Sequence, residues 1–298
     1  MNPREQGFLL LTSHLGDASR KVLTVAQMRV LTGCVRASQS IHEDRPIVPE
    51  DLMAMGYNRP SAERIVSLLS EGERMMAYAQ RGIRMGCIPI TRISDGYPQL
   101  LHKRLSLDTP GVLWAKGDVT LLNQPAVALV GSRDLRAENA AFAREVGIQT
   151  AKQGYVLISG NARGADREAQ EACLAAGGRV ISIVADSLEK QTLRQNVLYL
   201  SEDSYDLSFS TLRALSRNRL IHCMGQLTVV AQCRLERGGS WDGAVNNLRA
   251  HWSPLYCFGD GSEAAKALED RGATPVTMQQ LGNLQQLREQ GLNFFDLT

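Results

Sequence analysis

Short apolar segments alternate with helical segments from Pro125 onward, and this alternation constrains the fold more than any other feature of the chain. The apolar segments read AVALV, YVLIS, RVISIV, LTVV and PLYCF, and the stretches between them have helical periodicity. Strands that are apolar along their whole length are buried on both faces, as in parallel sheets covered by helices. The sequence therefore predicts an α/β fold with a doubly wound, mostly parallel sheet.

The first 85 residues have a different, helical pattern. Apolar residues recur at helical spacing in residues 24–36 and again in residues 61–79, where Ser61 is a candidate N-cap. The sequence of residues 51–69 predicts a helix, a turn at Gly56 and a second helix. Such a unit either packs against the rest of the protein with a purely structural role or binds a DNA backbone through its glycine turn. We assign residues 1–85 to a small helical N-terminal domain.

Charge and cysteine content narrow the class of protein. The chain has 33 Lys and Arg against 31 Asp and Glu, so any surface for nucleic acid must be local. The six cysteines form no CxxC pair and no cluster with histidine, which predicts reduced thiols and no metal site. The apolar run at residues 8–11 is too short for a signal peptide or a membrane span. We expect a cytoplasmic protein with no cofactor and no membrane contact.

Two segments at the ends of predicted strands have compositions suited to phosphate. Ligands bind at the carboxyl ends of strands in open parallel sheets. Gly131, Ser132 and Arg133 follow the first strand and offer close backbone approach, a hydroxyl and a forked cation beside a helix N-terminus. The second strand ends in SGNARGAD, residues 159–166, whose amides can form an anion nest before an acidic N-cap at Asp166. Either segment could instead be a tight strand–helix turn.

A third segment, Arg217-Asn218-Arg219, begins a later apolar helix. The two arginine side chains project about 200° apart on a helix. One of them is therefore expected to reach a ligand while the other pairs internally, unless the segment is only a solvated helix start. Trp241 and Tyr199 are candidates for stacking on bases, with core packing as the alternative.

Taken in order, these motifs resemble the DNA-processing protein A family, also called DprA or Smf, over residues 88–276. Residues 97–118 are similar to the family's entry segment, VGSR to its first phosphate loop, SGNARGAD to its SGxAxGxD loop and SRNRLIHCM to its RNR helix. GGSWDGA matches the late Gly-Ser turn loosely, and ALEDRGATPV is similar to the closing segment.

The resemblance implies a Rossmann-like domain, residues 86–278, that binds single-stranded DNA and forms a homodimer. It also implies a role in loading a RecA-type recombinase during DNA uptake or recombination. We expect the dimer surface in the region from LTVVAQC to PLYCF. Residues 279–298 are expected to be a C-terminal tail, too short for the winged-helix domain that many members carry.

Three positions depart from the family pattern. Gln170 stands where the family usually has histidine, Asp186 lies in place of a Gly-Leu-Asp segment, and Gln232 replaces a glutamate at the end of the fourth strand. With these changes the chain looks like a divergent member of that family.

The leading interpretation is a non-catalytic protein that binds single-stranded DNA through its phosphates and acts in DNA processing or recombination. The predicted phosphate-binding residues are Gly131, Ser132, Arg133, Ser159, Gly160, Arg163, Gly164, Arg217, Asn218 and Arg219. One alternative is a nucleotide-hydrolysing enzyme using Asp166, Asp186 or Asp242, although the loop at 237–243 lacks the Glu that such enzymes need. Another is a regulatory or antitoxin-type component of a phage-defence system that binds a nucleotide or an operon-encoded partner protein.

Overall fold

The computed structural model describes residues 1–38 and 45–291, which form one nine-stranded sheet with helices on both faces. The strands are β1 (Ile88–Thr91), β2 (Val112–Lys116), β3 (Ala126–Val130), β4 (Val156–Gly160), β5 (Arg179–Ile183), β6 (Val197–Glu202), β7 (Leu227–Val230), β8 (Leu255–Phe258) and β9 (Thr274–Val276). The α-helices are α1 (Pro3–Thr12), α2 (Val25–Ala37), α3 (Pro49–Ala54), α4 (Arg59–Leu69), α5 (Gly72–Arg84), α6 (Gln99–Leu105), α7 (Ala137–Lys152), α8 (Ala165–Ala175), α9 (Thr211–Met224), α10 (Gly239–Ala250), α11 (Glu263–Glu269) and α12 (Leu284–Gln290).

The strand order is β1-β2-β6-β5-β4-β3-β7-β8-β9. All neighbouring pairs are parallel except β1 with β2 and β2 with β6, which are antiparallel. From β3 the chain winds one way through β4, β5 and β6, and then returns to the other side for β7, β8 and β9. The prediction of a doubly wound, mostly parallel sheet is confirmed, and the switch in winding direction lies between β3 and β7.

Apolar residues of the central strands serve two cores, one on each face of the sheet. Along β3, Val127 and Leu129 pack into the core that includes α7 and α8, while Ala128 and Val130 pack into the core that includes α9 and α10. This division explains why the central strands are apolar at every position: alternate side chains point to opposite faces, and both faces are covered.

The sequence patterns did not predict β1, β2, β6 or β9. These four strands extend the sheet on both sides of the five central strands. Strand β2 begins after the Pro110-Gly111 pair, and β9 contains Pro275, so each lies in a segment in which Pro or Gly masks the strand pattern. At the edge of the sheet, Pro275 is tolerated because an edge strand leaves one row of backbone groups unpaired.

The N-terminal helices differ from the sequence prediction in two details. The helix predicted over 61–79 is two helices, α4 and α5, separated at Ser70 and Glu71. The N-cap of α4 is Asn58 rather than Ser61: the Asn58 side chain accepts a hydrogen bond from the backbone N–H of Ser61 at 2.9 Å. The predicted helix–turn–helix is present as α3, Gly56 at φ +96° and α4.

An aromatic and ionic cluster joins α5 to the loop after β6. Tyr78 donates to Asp206 at 2.6 Å, Arg81 donates to the Tyr205 hydroxyl at 2.8 Å, and the Tyr78 and Tyr205 ring centroids are 4.6 Å apart. The Trp114 indole N–H on β2 donates to the carbonyl of Asp203 at 3.0 Å in the same area. These contacts fix the N-terminal helices against the sheet.

The segment predicted as a C-terminal tail packs on the sheet domain over its described part. Leu281, Leu284 and Leu287 are buried. The side chain of Gln153, the C-cap residue of α7, donates to the Leu281 carbonyl at 2.8 Å and accepts from the Leu284 N–H at 2.7 Å. Residues 292–298, the rest of that tail, lie outside the described residues. Among the described helices, none is long and apolar enough to cross a membrane.

Candidate nucleic-acid interface

A crevice of about 460 Å³ opens at the carboxyl ends of β3 and β7, where the winding direction of the sheet switches. Its walls come from the loop after β3, the loop after β4, the first half of α9, and the segment between β7 and α10. Four arginines line it (Arg133, Arg217, Arg234 and Arg237) against two carboxylates, Asp134 and Asp166. The crevice therefore carries a net positive charge although the whole chain is nearly neutral.

Backbone hydrogen bonds fix the VGSR loop, residues 130–133, between the segment after β7 and the start of α8. The Ser132 N–H donates to the carbonyl of Gln232 at 2.9 Å, and the Ser132 carbonyl accepts from the N–H of Ala165 at 3.1 Å. A Cβ on Gly131 would lie 2.5 Å from the Cβ of Ala165, so only glycine allows this close approach to α8. Arg133 is exposed at the rim, and within the described residues its guanidinium makes no hydrogen bond or ion pair.

The SGNARGAD loop depends on two glycines for different reasons. Gly164 has φ +80°, and a side chain there would run into the carbonyl oxygen of Ser132. Gly160 is buried, and a Cβ at that position would fall on the guanidinium of Arg217. Thus Gly164 shapes the loop, while Gly160 makes room for an arginine that arrives from another element.

Ser159 occupies a different place from the one predicted. It is fully buried beneath the loop, and its hydroxyl accepts a hydrogen bond from the Gln170 side chain at 2.7 Å. Gln170 also bonds the Gly160 carbonyl and lies 3.4 Å from the Ser182 hydroxyl. The Ser159 hydroxyl therefore supports the loop from inside and does not face a ligand. Gln170, which departs from the family pattern, belongs to this same internal network.

Arg217, on α9, is a buried residue of the crevice lining. Its side chain is about nine-tenths buried, its Nη1 is 3.5 Å from Asp166 Oδ2, and its Nε has no hydrogen-bond partner among the described residues. Burial raises the pKa of Asp166, and the positive charge of Arg217 and the backbone N–H of Ala162 oppose that rise. Asp166 sits inside the first turn of α8, whose N-cap is Gly164, so its prediction as the N-cap residue is wrong.

Arg219 points away from this crevice. Its Nη2 lies 3.5 Å from Glu202 Oε1 at the end of β6, and it lines a separate cleft on the other side of α9. The two arginines thus diverge around the helix, as the 100° rotation per residue requires. Between them, Asn218 donates from Nδ2 to the Gly239 carbonyl at 3.0 Å and joins α9 to the start of α10.

Arg163 projects from the β4 loop into solvent with its side chain 70% exposed, and donates to Asp134 at 2.9 Å. Arg234 reaches the same carboxylate from the β7 side at 3.1 Å. Asp134 therefore links the two loops across the mouth of the crevice. An anion could compete for either guanidinium, because exposed ion pairs of this kind contribute little to stability.

Sequence reasoning missed the segment between β7 and α10. Arg237 lines the crevice and, among the described residues, its side chain has no hydrogen bond or ion pair. The amides of Gly239 and Ser240, at the N-terminus of the 12-residue helix α10, have no backbone acceptor there either. The sequence signal for an anion site is ArgGlyGlySer at 237–240, a cation followed by a glycine-rich helix start; from the sequence, this segment is related to the family's late Gly-Ser turn and to a catalytic loop, and not to phosphate binding.

The exposed aromatic of the site is also one that the sequence did not single out. Phe209 lines the rim of the crevice and is 51% exposed, whereas Trp241 and Tyr199 are buried at 5% and 6% exposure. The packing alternative for Trp241 and Tyr199 is therefore the observed one. Phe209 is held in place by its backbone N–H, which donates to Asp186 at 3.1 Å.

Two departures from the family pattern serve the structure. Gln232 accepts from the N–H of Arg136 at 2.9 Å and donates to the Asp134 carbonyl at 3.1 Å, which ties the loop after β3 to the end of β7. Asp186 binds the backbone amides of Ser187 and Phe209 and does not line the crevice. Within residues 1–38 and 45–291, no group of three His, Cys, Asp or Glu residues could hold a metal.

The fold and the crevice define a Rossmann-like α/β protein with a cationic site at the switch point of its sheet. The family model for DNA recombination-mediator protein A matches residues 89–280, and the chain belongs to that family.

Comparison with individual proteins agrees with this membership. The chain is 30% identical to the DNA processing protein DprA of Bacillus subtilis over 177 residues, which cover 56% of this chain and 57% of that protein. It spans about half the length of the curated relatives it matches.

Two solved structures share the fold. DNA processing protein A of Streptococcus pneumoniae superposes with a TM-score of 0.69 at 23% identity, covering 96% of this chain and 98% of that one. DNA processing protein A of Helicobacter pylori, whose structure was described for its single-stranded DNA binding mode, gives a TM-score of 0.56 at 24% identity, covering 67% of this chain and 95% of that one. At these identities the likeness concerns the fold.

Proposed function

We propose that this protein binds single-stranded DNA by holding backbone phosphates in the crevice between β3 and β7, and that it acts in DNA processing and recombination. The observation that carries the proposal is the pair Arg133 and Arg237, two exposed arginines that line one crevice and whose side chains make no hydrogen bond or ion pair among the described residues. A phosphate between them would receive charge-assisted hydrogen bonds, which are the stronger class in proteins.

Backbone groups support the same ligand. The amides of Gly239 and Ser240, which have no backbone acceptor among the described residues, lie at the positive end of α10, and Arg133 lines the same crevice. Helix N-termini with free N–H groups favour anions through both hydrogen bonding and the helix dipole. The crevice thus offers two kinds of donor to one phosphate group.

Phe209 favours a single strand over a duplex. A half-exposed aromatic ring at the rim of a phosphate site can stack on a base only if that base is unpaired. Within residues 127–258 the chain has 15 Lys and Arg against 13 Asp and Glu, so affinity has to come from the placement of a few cations and not from a broad basic face.

The site supports binding without catalysis. The two carboxylates that line the crevice are both engaged, Asp134 with Arg163 and Arg234, and Asp166 with Arg217. Asp186 and Asp242 are not part of its lining. General acid–base chemistry needs a free titratable group within reach of the reacting bond. Release of free base from a nucleoside monophosphate by the purified protein would contradict this part of the proposal.

The test compares Arg133→Ala with the parent by fluorescence anisotropy on a single-stranded oligonucleotide at two salt concentrations. Loss of charged hydrogen bonds of about 1.5–3 kcal/mol should weaken binding more than about tenfold. The slope of log K against log salt should become shallower by about one, the change expected when one phosphate contact is lost. Arg133→Lys should restore only part of the affinity, because a point charge lacks the guanidinium fork.

Arg249→Ala is the matched control. Arg249 is an exposed arginine of α10 that lies outside the lining of the crevice. It should bind DNA like the parent, which separates a specific contact from a change in net charge. Equal affinities for the parent, Arg133→Ala and Arg237→Ala, with unchanged melting temperatures, would refute the assignment of the crevice.

The link to a RecA-type recombinase belongs to the same proposal and is supported by family membership alone. It predicts that the DNA-bound protein speeds assembly of the recombinase on a single strand. Arg133→Ala should lose that effect in parallel with its loss of DNA affinity. A variant that loses DNA binding but still accelerates assembly would contradict the link.

A further inference from the structure

A second and larger cavity, which we call the interdomain cleft, lies between the N-terminal helices and the sheet. It has a volume of about 960 Å³ and is bounded by the turn after α1, the start of α2, the loop before β2, the end of β6 and the outer side of α9. A volume of this order is typical of sites for small organic ligands. Nothing in the proposed phosphate site requires the interdomain cleft, which contacts the crevice only through Arg217.

The walls of the interdomain cleft combine apolar surface with a small polar group. Leu23, Val25, Val112 and Leu212 are among the apolar residues that line it. On the α9 side, residues at helical spacing bring Ser216 and Arg219 to the same carboxylate of Glu202. A donor and an acceptor thus stand side by side between apolar walls.

Two guanidinium groups of the interdomain cleft have unused hydrogen-bonding capacity. The Nε atoms of Arg217 and Arg219 are buried and have no partner among the described residues, and the Arg217 side chain is about nine-tenths buried. The Nε atoms themselves lie out of reach of a ligand, but the Arg219 side chain is 30% exposed and the Glu202 side chain 25% exposed beside the cleft, so this pair is the accessible polar group. Burial raises the pKa of Glu202, while the hydrogen bond from Ser216 and the charge of Arg219 oppose that rise. A carboxylate with a raised pKa that lines a cleft is a common feature of binding sites.

The charges in the interdomain cleft disfavour phosphate groups inside it. Three arginines (Arg213, Arg217 and Arg219) face four carboxylates, those of Asp108, Glu202, Asp203 and Asp206. A phosphate chain would meet these acids at close range. An uncharged planar ring with both donor and acceptor edges fits better, because apolar walls can hold its faces while the Arg219–Glu202 pair meets its edge.

We propose that the interdomain cleft binds a nucleobase. The base could belong to a free nucleoside or to the bound DNA strand, and only the second source rests on the proposed function. In either case the ring lies between the N-terminal helices and α9, and its polar edge contacts Arg219 and Glu202.

The test titrates the four common nucleosides into the full chain and follows NMR chemical shifts of the Leu23 and Val112 methyl groups. Ala18→Trp places a bulky ring in the cleft, because Ala18 is exposed in the turn after α1 and lines it. We expect saturable shifts in the parent and affinity reduced more than about tenfold in Ala18→Trp. Lys21→Trp adds the same ring at an exposed residue outside the lining and should bind like the parent.

The source of the base is settled by comparing an oligonucleotide with an abasic strand of the same length. If Ala18→Trp weakens binding of the first but not of the second, the base comes from the strand. If Ala18→Trp leaves both affinities unchanged while free nucleosides still bind the parent, the ligand is a free nucleoside.

Failure of this inference is distinct from failure of the phosphate site. Arg133→Ala should lose oligonucleotide binding and keep the nucleoside shifts, since Arg133 does not line the interdomain cleft. Absence of saturable shifts with every nucleoside, together with unchanged oligonucleotide affinity in Ala18→Trp, would overturn the inference.

Discussion

Replacing His222 by methionine should remove a large part of the loss of stability at acidic pH. His222 lies on α9, is fully buried, and has no hydrogen-bond partner for either ring nitrogen among the described residues. Its neighbours are the Trp252 ring, with centroids 6.4 Å apart, and Gly243 on α10. Burial lowers its pKa to about 3.

The sign follows from the direction of that pKa shift. The unfolded chain binds a proton at His222 below a pH of about 6.5, while the folded chain does so only near pH 3. Between these values the unfolded state binds more protons, so the free energy of unfolding falls as the pH falls. At about 1.4 kcal/mol per pH unit, His222 alone should remove about 2 kcal/mol between pH 7 and pH 5.

The measurement is urea unfolding of the parent and His222→Met at pH 7, 6 and 5. At pH 7 the variant should be as stable as the parent or more stable, because an imidazole buried without a partner is unfavourable by about 1–3 kcal/mol. His102, with a pKa lowered by burial, and His14, with a pKa raised by Asp203, are common to both proteins and cancel in the comparison. An equal loss of stability in both proteins between pH 7 and pH 5 would refute the reasoning.

Two further predictions concern packing and assembly. Gly160→Ala should displace Arg217 from Asp166 and lower the free energy of unfolding by about 3–5 kcal/mol, since it leaves a buried charge without its partner. Urea unfolding checks this against Gly7→Ala, a helix position with open space where alanine should be neutral or stabilising by about 0.5–1 kcal/mol; equal stability for the two variants would contradict it. The chain should also be a homodimer by light scattering at micromolar concentration, and a monomer there would contradict it. Because β7 and β8 are paired on both edges, the surface predicted in that region would have to come from α10 and its adjoining loops.

Sequence alone determined the central part of the fold because the signal is local. The run AVALV needs no partner to indicate a strand covered on both faces, and five such runs separated by helices leave few alternatives to a doubly wound sheet. The edge strands β1 and β9 lack this signal, because they are short and contain Pro89 and Pro275. Whether these segments form strands depends on pairing with the neighbouring strands β2 and β8, which the local residue pattern does not indicate.

The candidate site divides in the same way. Gly131, Ser132 and Arg133 could be found from the sequence, because a strand end followed by a helix start already defines an anion-binding geometry. Arg237 could not be placed there, because it lies about a hundred residues further along the chain and lines the same crevice as Arg133 only because β7 lies next to β3 in the sheet.

The direction of each side chain was decided by tertiary structure alone. Helical geometry predicts that Arg217 and Arg219 diverge, but not which of them faces the crevice. That choice follows from the packing of α9 across the sheet, which sets Arg217 against Gly160 and Asp166 and turns Arg219 toward Glu202. The burial of Ser159 has a related cause. Successive side chains of a strand point to opposite faces, so a residue at the end of a central strand can face the core or a ligand. Ser159 faces the core, where its hydroxyl accepts a hydrogen bond from Gln170. Local sequence fixes which elements form, whereas long-range packing fixes which face of each element meets the site.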